Sequence, residues 1–158
     1  MDGAVGDEIN HCRNTEHMNK QIEVKTSMEF AEVTLVLVGA FEGGSNYWMY
    51  QGRDFPAISW GSKLKTLLRE SPWAHLDLGG CYSDVMSWAA KNGKHFKVTV
   101  RDDEGEGHNI TPLTIERGVQ TMQDKYPRHF ADMVKENDDA TTSDVLLQCI
   151  LFEEVVYG

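Results

Sequence analysis

The stretch that decides the fold is TSMEFAEVTLVLVGAFEGG, residues 26–44. Phe30, Val33, Leu37 and Phe41 recur at intervals of three and four, which places them on one face of a helix. Val36, Val38 and Ala40 widen that face, so the helix is expected to be central. Thr26 with Glu29 fits a capping box, in which a hydroxyl and a carboxylate satisfy otherwise unpaired amides. Gly43 and Gly44 are expected to stop the helix, because glycine accepts the left-handed conformation of a C-cap.

Outward from this helix, KQIEVKT (20–26) alternates and is read as a short strand, and residues 1–19 as a mobile polar tail. NYWMYQ (46–51) is read as an aromatic strand. Two short helices are expected over 62–71, with Leu64, Leu67 and Leu68 inward, and over 82–93, with Val85, Trp88 and Ala89 inward. KHFKVTVRD (94–102) alternates with Phe96, Val98 and Val100 on one side. DEGEG is its turn, and HNITPL (108–113) pairs back, its proline suggesting an edge or an end. Thr114 is expected to cap a helix reaching Tyr126, with Ile115, Val119, Met122 and Tyr126 inward. RHFADMVKEN adds a short helix on Phe130, Met133 and Val134. Val145, Cys149, Phe152 and Val156 line the final one. The expected fold is therefore α+β. A small antiparallel sheet of three or four strands packs against long first and last helices in a single domain over 20–158, and 53–93 is a helical insertion decorating one edge.

The bulk numbers restrict function. The 158 residues carry 25 acids against 15 bases, a net charge of −10. Residues 1–52 hold eight acids and three bases, 53–101 four and eight, and 102–158 thirteen and four. Such acidity disfavours direct nucleic-acid binding and favours a basic partner. No run of 18 apolar residues suggests a membrane span. The opening MDGAVGDEIN has neither basic head nor apolar stretch, so no secretory leader is expected. Cys12, Cys81 and Cys149 are odd in number and widely spaced, which fits a reducing compartment.

Chemistry has few candidate seats. Glu42 lies at the carboxyl end of the first helix, where its charge opposes the dipole. Gly43 and Gly44 permit a sharp bend, Ser45 and Asn46 offer polar groups, and Tyr47, Trp48 and Tyr50 offer flat faces for stacking. Asp144 and Gln148 stand one turn apart on the last helix. If the first and last helices pack together, Glu42, Asn46, Asp144 and Gln148 could meet and form a ligand site with Gly43, Gly44, Tyr47 and Trp48. Against this stands the plainer reading of a helix stop, an aromatic core strand, and a cap with a buried polar link. No metal or cofactor is expected: His11, Cys12 and His17 sit in the tail, and His95, His108 and the Asp102–Glu106 acids bracket a hairpin without a usual ligand spacing. No G-x-S-x-G or phosphate-loop motif occurs.

AFEGGSNYW (40–48) and the run from Thr114 to Gly158, ending FEEVVYG, resemble a family of small bacteriophage- and prophage-encoded proteins. The resemblance covers about half the chain. That family often carries glycine where Glu153 stands, and the 53–93 region has no counterpart in it. The resemblance implies a phage gene acting in the host bacterial cytoplasm and brings no catalytic residues. Small acidic phage accessory proteins often oppose host defence, which leaves three readings. The favoured one is an acidic, anti-CRISPR-type inhibitor that mimics nucleic-acid charge against a host defence protein with a basic surface. Its contacts would come from Asp102, Asp103, Glu104, Glu106, Glu136, Asp138 and Asp139. The second is a binder of a nucleotide-like immune signal at the Glu42–Trp48 stretch. The third is a hydrolase using Glu42 and Asp144 as paired carboxylates.

Overall fold

The computed structural model describes residues 21–22 and 26–158. The expected tail, with His11, Cys12 and His17, and most of the expected 20–26 strand lie outside the described residues. The elements are α1 (Phe30–Gly39), a π-helical turn (Ala40–Gly44), β1 (Ile58–Ser59), α2 (Gly61–Glu70), α3 (Leu78–Lys91), β2 (Val98–Arg101), β3 (Gly107–Ile110), α4 (Pro112–Lys125), α5 (Pro127–Val134) and α6 (Ala140–Phe152). The strands form one antiparallel sheet in the order β1-β2-β3, with Val98 opposite Ile110 and Val100 opposite both Ile58 and His108. The fold is α+β.

Helix α6 is the centre of the molecule. Nine consecutive residues, Thr142 to Ile150, are buried, so the helix is enclosed on all sides rather than amphipathic. α1, α4 and α5 pack around it, and β3 leans on it. Close helix approach requires small residues at the crossings. A Cβ on Gly118 of α4 would lie 2.7 Å from the Ile150 Cα, and one on Gly44 would lie 2.7 Å from the Ala140 carbonyl oxygen. The first and last helices thus pack on each other, the condition on which the candidate ligand site depended. α3 is no edge decoration: Cys81, Tyr82, Val85, Met86 and Ala89 join the core, and α3 packs on α1. Trp88, expected inward, is half-buried, and Met86 takes the inner position.

Several boundaries differ from the sequence reading, each for a local reason. The capping pair lies one turn later than Thr26–Glu29: the Glu29 amide donates to the Glu32 carboxylate at 3.1 Å. Instead of stopping at Gly43, α1 widens into the π-turn, with the Ser45 amide bonded to the Ala40 carbonyl at 3.1 Å. Gly43 then takes φ 154°, a backbone that side-chain-bearing residues rarely adopt. Residues 46–48 form a turn and 50–51 are irregular, so 46–51 is not a strand. Their sheet pairing is one bridge, Met49 to Asp102. Thr111, not Thr114, caps α4, and Pro112 opens that helix just past the end of β3, an edge strand of the sheet, as the proline suggested. Val134 is exposed at the end of α5. α6 ends at Phe152 because Glu153 is left-handed, with φ 59°. Val156 is therefore off the helix and half exposed. Glycine would adopt the Glu153 conformation without the cost of about 1 kcal/mol that a Cβ incurs.

One core group lacks a partner among the described residues. The Tyr82 hydroxyl is buried without a hydrogen bond, its ring stacked on Trp60 at 4.5 Å and set edge-on to Phe41 at 5.6 Å. Burial, and secondarily the Glu42 charge, push its pKa up to about 12. An unsatisfied buried hydroxyl costs about 1–3 kcal/mol. Tyr82→Phe is expected to raise the melting temperature near neutral pH by about 3 °C. It also removes an alkaline sensitivity. Tyr82's protonated form is favoured in the fold, so its contribution is full below the unfolded pKa near 10 and is lost as pH rises towards about 12. That loss amounts to about 2–3 kcal/mol in the wild type and should vanish in the variant. Urea titrations at neutral and alkaline pH check both; equal pH profiles for the two proteins would refute the assignment.

Candidate functional site

The two stretches on which the phage-family resemblance rests meet around α6. Asp144, 6% exposed, accepts four hydrogen bonds. Ser45 Oγ and Trp48 Nε1 each donate to Oδ1 at 2.7 Å. The Tyr47 hydroxyl and Gln148 Nε2 donate to Oδ2 at 2.6 and 2.9 Å. All four neighbours donate, so the group works as an acceptor through both oxygens. Among the described residues no lysine, arginine or histidine lies within 4 Å of it. A buried acid is tolerable on these terms only because its hydrogen-bonding capacity is filled.

Gln148 extends the network to the C-terminal segment. Its Oε1 accepts from the amides of Val156 and Tyr157, both at 2.8 Å, which fixes the orientation of the side-chain amide. Its Nε2 then donates to the Tyr157 carbonyl at 3.0 Å as well as to Asp144. Tyr126 Oη takes the Val155 amide at 2.8 Å, and Lys125 Nζ donates to the Glu153 carbonyl at 2.9 Å, opposite the helix dipole. The Tyr157 ring stacks on Trp48, 5.1 Å between centroids and 5° between planes. Trp48 also meets Phe152 edge-on at 5.7 Å, and Phe152 meets His108 at 4.7 Å. An aromatic chain thus runs from the buried network to the β2–β3 hairpin.

Of the eight candidate ligand residues, Tyr47, Trp48, Asp144 and Gln148 come together, with Ser45 as an additional member. Gly44 contributes the close approach to Ala140 that lets Ser45 reach Asp144. Glu42, Gly43 and Asn46 are exposed. Glu42 is not among Asp144's partners, and Asn46 contributes only its carbonyl, to Gln51 Nε2 at 2.8 Å. Burial, then the Asp144 hydrogen bond and charge, push the Tyr47 pKa up to about 12. The ring of Tyr47 is nevertheless 60% exposed, the one large flat surface the stretch offers outward. None of the eight lines the groove of about 700 Å3 between residues 26–33 and α4, whose walls include Met28, Phe30, Val33, Ile115, Val119 and Phe130. Among the described residues, burial pushes up the pKa of the Cys81 thiol and that of Cys149 to about 11, the opposite of an activated nucleophile.

The candidate acids divide by use. Asp102 is buried at the end of β2. Its Oδ1 accepts the amides of Glu104 and Glu106, both at 3.0 Å, and its Oδ2 lies 2.8 Å from His108 Nε2. Burial alone would raise its pKa, but the bonds from His108 and the two amides outweigh that and hold it below the ordinary carboxylate value. Asp139 caps α6 through the Thr142 amide at 2.9 Å, and that bond lowers its pKa. Asp103, Glu104, Glu106, Glu136 and Asp138 are exposed. The His108–Asp102 pair is the one ion-pair contact within 4 Å among the described residues. Sequence reasoning missed this pair; an acid closing one arm of an expected hairpin and a histidine opening the other was the available signal.

The class these features define is an α+β domain built around a buried helix that carries a polar network, with an acidic hairpin near that helix's C-terminal end. No family model, curated protein or solved structure matches the chain. No helix among the described residues is long and apolar enough to cross a membrane.

Proposed function

We propose that the chain is a phage-encoded accessory protein acting in the bacterial cytoplasm, where it counteracts host defence by binding rather than catalysis. Its acidic surface occupies the basic, nucleic-acid-binding groove of a host defence complex, as an anti-CRISPR-type inhibitor would. The observation that carries this reading is that Asp103, Glu104, Glu106, Glu136 and Asp138 are exposed and, among the described residues, none has a lysine or arginine within 4 Å. Surface carboxylates without cationic partners are available to a basic groove. The two groups sit towards opposite ends of α6, whose 13 residues span about 20 Å. That length corresponds to about six base-pair steps of a duplex.

The test is competition with DNA for a purified RNA-guided effector complex, measured across salt. Binding should fall by at least about tenfold between roughly 50 and 200 mM salt, as for a ligand that replaces several phosphates. A variant with Asp103→Asn, Glu104→Gln and Glu106→Gln should bind about tenfold more weakly at low salt and show a shallower salt slope. Binding that ignores salt, or that the triple variant retains in full, rejects charge mimicry.

A further inference from the structure

We propose that Asp102, Glu106 and His108 form a binding site for a divalent transition-metal ion, with Zn2+ the best fit to the donor set. One ligand atom from each of the three residues lies within 4.8 Å of the other two. All three belong to one short hairpin whose register is fixed by the pairing of Arg101 with Gly107 and Val100 with His108. Asp102 and His108 are held before any ion arrives. The amides of Glu104 and Glu106 occupy Asp102 Oδ1, which turns Oδ2 towards the imidazole. The edge-on contact with Phe152 supports the His108 ring from behind. Glu106 is exposed at the rim and can swing inward as the closing ligand.

The geometry requires little movement. Zinc bonds of about 2.0–2.2 Å in a tetrahedron separate ligand atoms by about 3.4 Å. The 2.8 Å contact between Asp102 and His108 must open by a fraction of an ångström, and Glu106 must close. One imidazole and two carboxylates leave the fourth position to water or to a partner's donor group, the arrangement of an open zinc site. Magnesium and calcium favour all-oxygen sets, whereas imidazole selects the later transition metals. The neighbouring charge also favours a cation. Asp103 and Glu104 flank the site, and Arg101 is directed elsewhere. Its guanidinium donates to the Gly105 carbonyl at 3.0 Å and lies 4.3 Å over the Phe55 ring. This inference does not depend on the proposed partner.

The experiment is calorimetric titration of the full chain with Zn2+ in a non-coordinating buffer. His11, Cys12 and His17 offer competing ligand atoms, so the reference protein carries His11→Ala, Cys12→Ser and His17→Ala. It should bind one Zn2+ with a dissociation constant of about 10 μM or tighter. Glu106→Ala and His108→Gln should each weaken binding at least about tenfold. Glu106→Ala keeps the backbone bonds of the hairpin, so its melting temperature without metal should match the reference. It therefore decides the matter even if His108→Gln fails to fold. Co2+ in place of Zn2+ should give the intense visible absorption of a four-coordinate ion, lost in Glu106→Ala. No binding by the reference protein near 100 μM, or binding that either foldable variant leaves within about threefold, overturns the site.

Discussion

Asp144→Ala is expected to lower the unfolding free energy by about 5 kcal/mol and to leave little native protein. The carboxyl group is the common acceptor of Ser45, Tyr47, Trp48 and Gln148. Removing it leaves the Ser45 hydroxyl and the Trp48 indole, each buried at 1% exposure or less, facing a cavity without an acceptor, and takes one bond from Gln148 Nε2, which keeps the Tyr157 carbonyl. Leaving a buried donor unpaired costs about 1–3 kcal/mol, and two such groups together with the weakened Gln148 link reach about 5 kcal/mol, the lower end of a whole domain's net stability. Asp144→Asn keeps the volume but presents an NH2 to donors on one side, so about half the loss is expected. Ser45→Ala and Trp48→Phe, which remove single donors, should cost about 1–2 kcal/mol each and combine non-additively with Asp144→Asn. Urea unfolding followed by tryptophan fluorescence reads all four. If Asp144→Ala came within 1 kcal/mol of the wild type, the network would not be the structural tie described above, and Asp144 would be available for some other role.

Gly118→Ala should be the second most damaging change, at about 3 kcal/mol, although it adds one carbon. The new Cβ would stand 2.7 Å from the Ile150 Cα and 2.8 Å from the Ile150 amide nitrogen. These are backbone atoms of an enclosed helix and cannot turn aside as a flexible side chain would, so α4 and α6 must separate. Gly80→Ala supplies the control of opposite sign. Gly80 lies in α3, and a methyl group there would meet nothing within 4 Å, so alanine's helix propensity should add about 0.5–1 kcal/mol. Thermal melts of the two single variants would separate crowding from propensity. A Gly118→Ala protein as stable as the wild type would show that the crossing can relax.

The sequence made the helical framework legible because periodicity reports directly on burial. Val33 and Leu37 lie on the inner face of α1, Ile115 and Met122 on that of α4, and Phe96, Val98 and Val100 are fully buried on the expected side of the hairpin. Periodicity failed where a polar interaction controls the backbone. Residues 46–51 alternate like a strand, yet Tyr47 and Trp48, neighbours in sequence, both bond to Asp144. A strand would send them to opposite faces. Val156 falls four residues after Phe152 and so reads as helical, but the C-terminal segment instead supplies main-chain groups to Gln148. The pairing of Asp144 with Gln148 was visible as one turn of separation, while the other partners of Asp144, about 100 residues earlier, depend on a helix crossing that periodicity does not report. The AFEGGSNYW and FEEVVYG stretches proved to be halves of one assembly, which their separation in the chain conceals.

The enclosed position of α6 has a consequence for biosynthesis. Every element that rests on this helix is translated before it. While residues 140–157 are being added or still lie in the exit tunnel, the emerged α1 carries an apolar side that α6 has yet to cover, and Ser45 and Trp48 have no acceptor. The nascent chain must therefore remain loosely collapsed, and open to chaperones, until the segment through Tyr157 clears the exit tunnel.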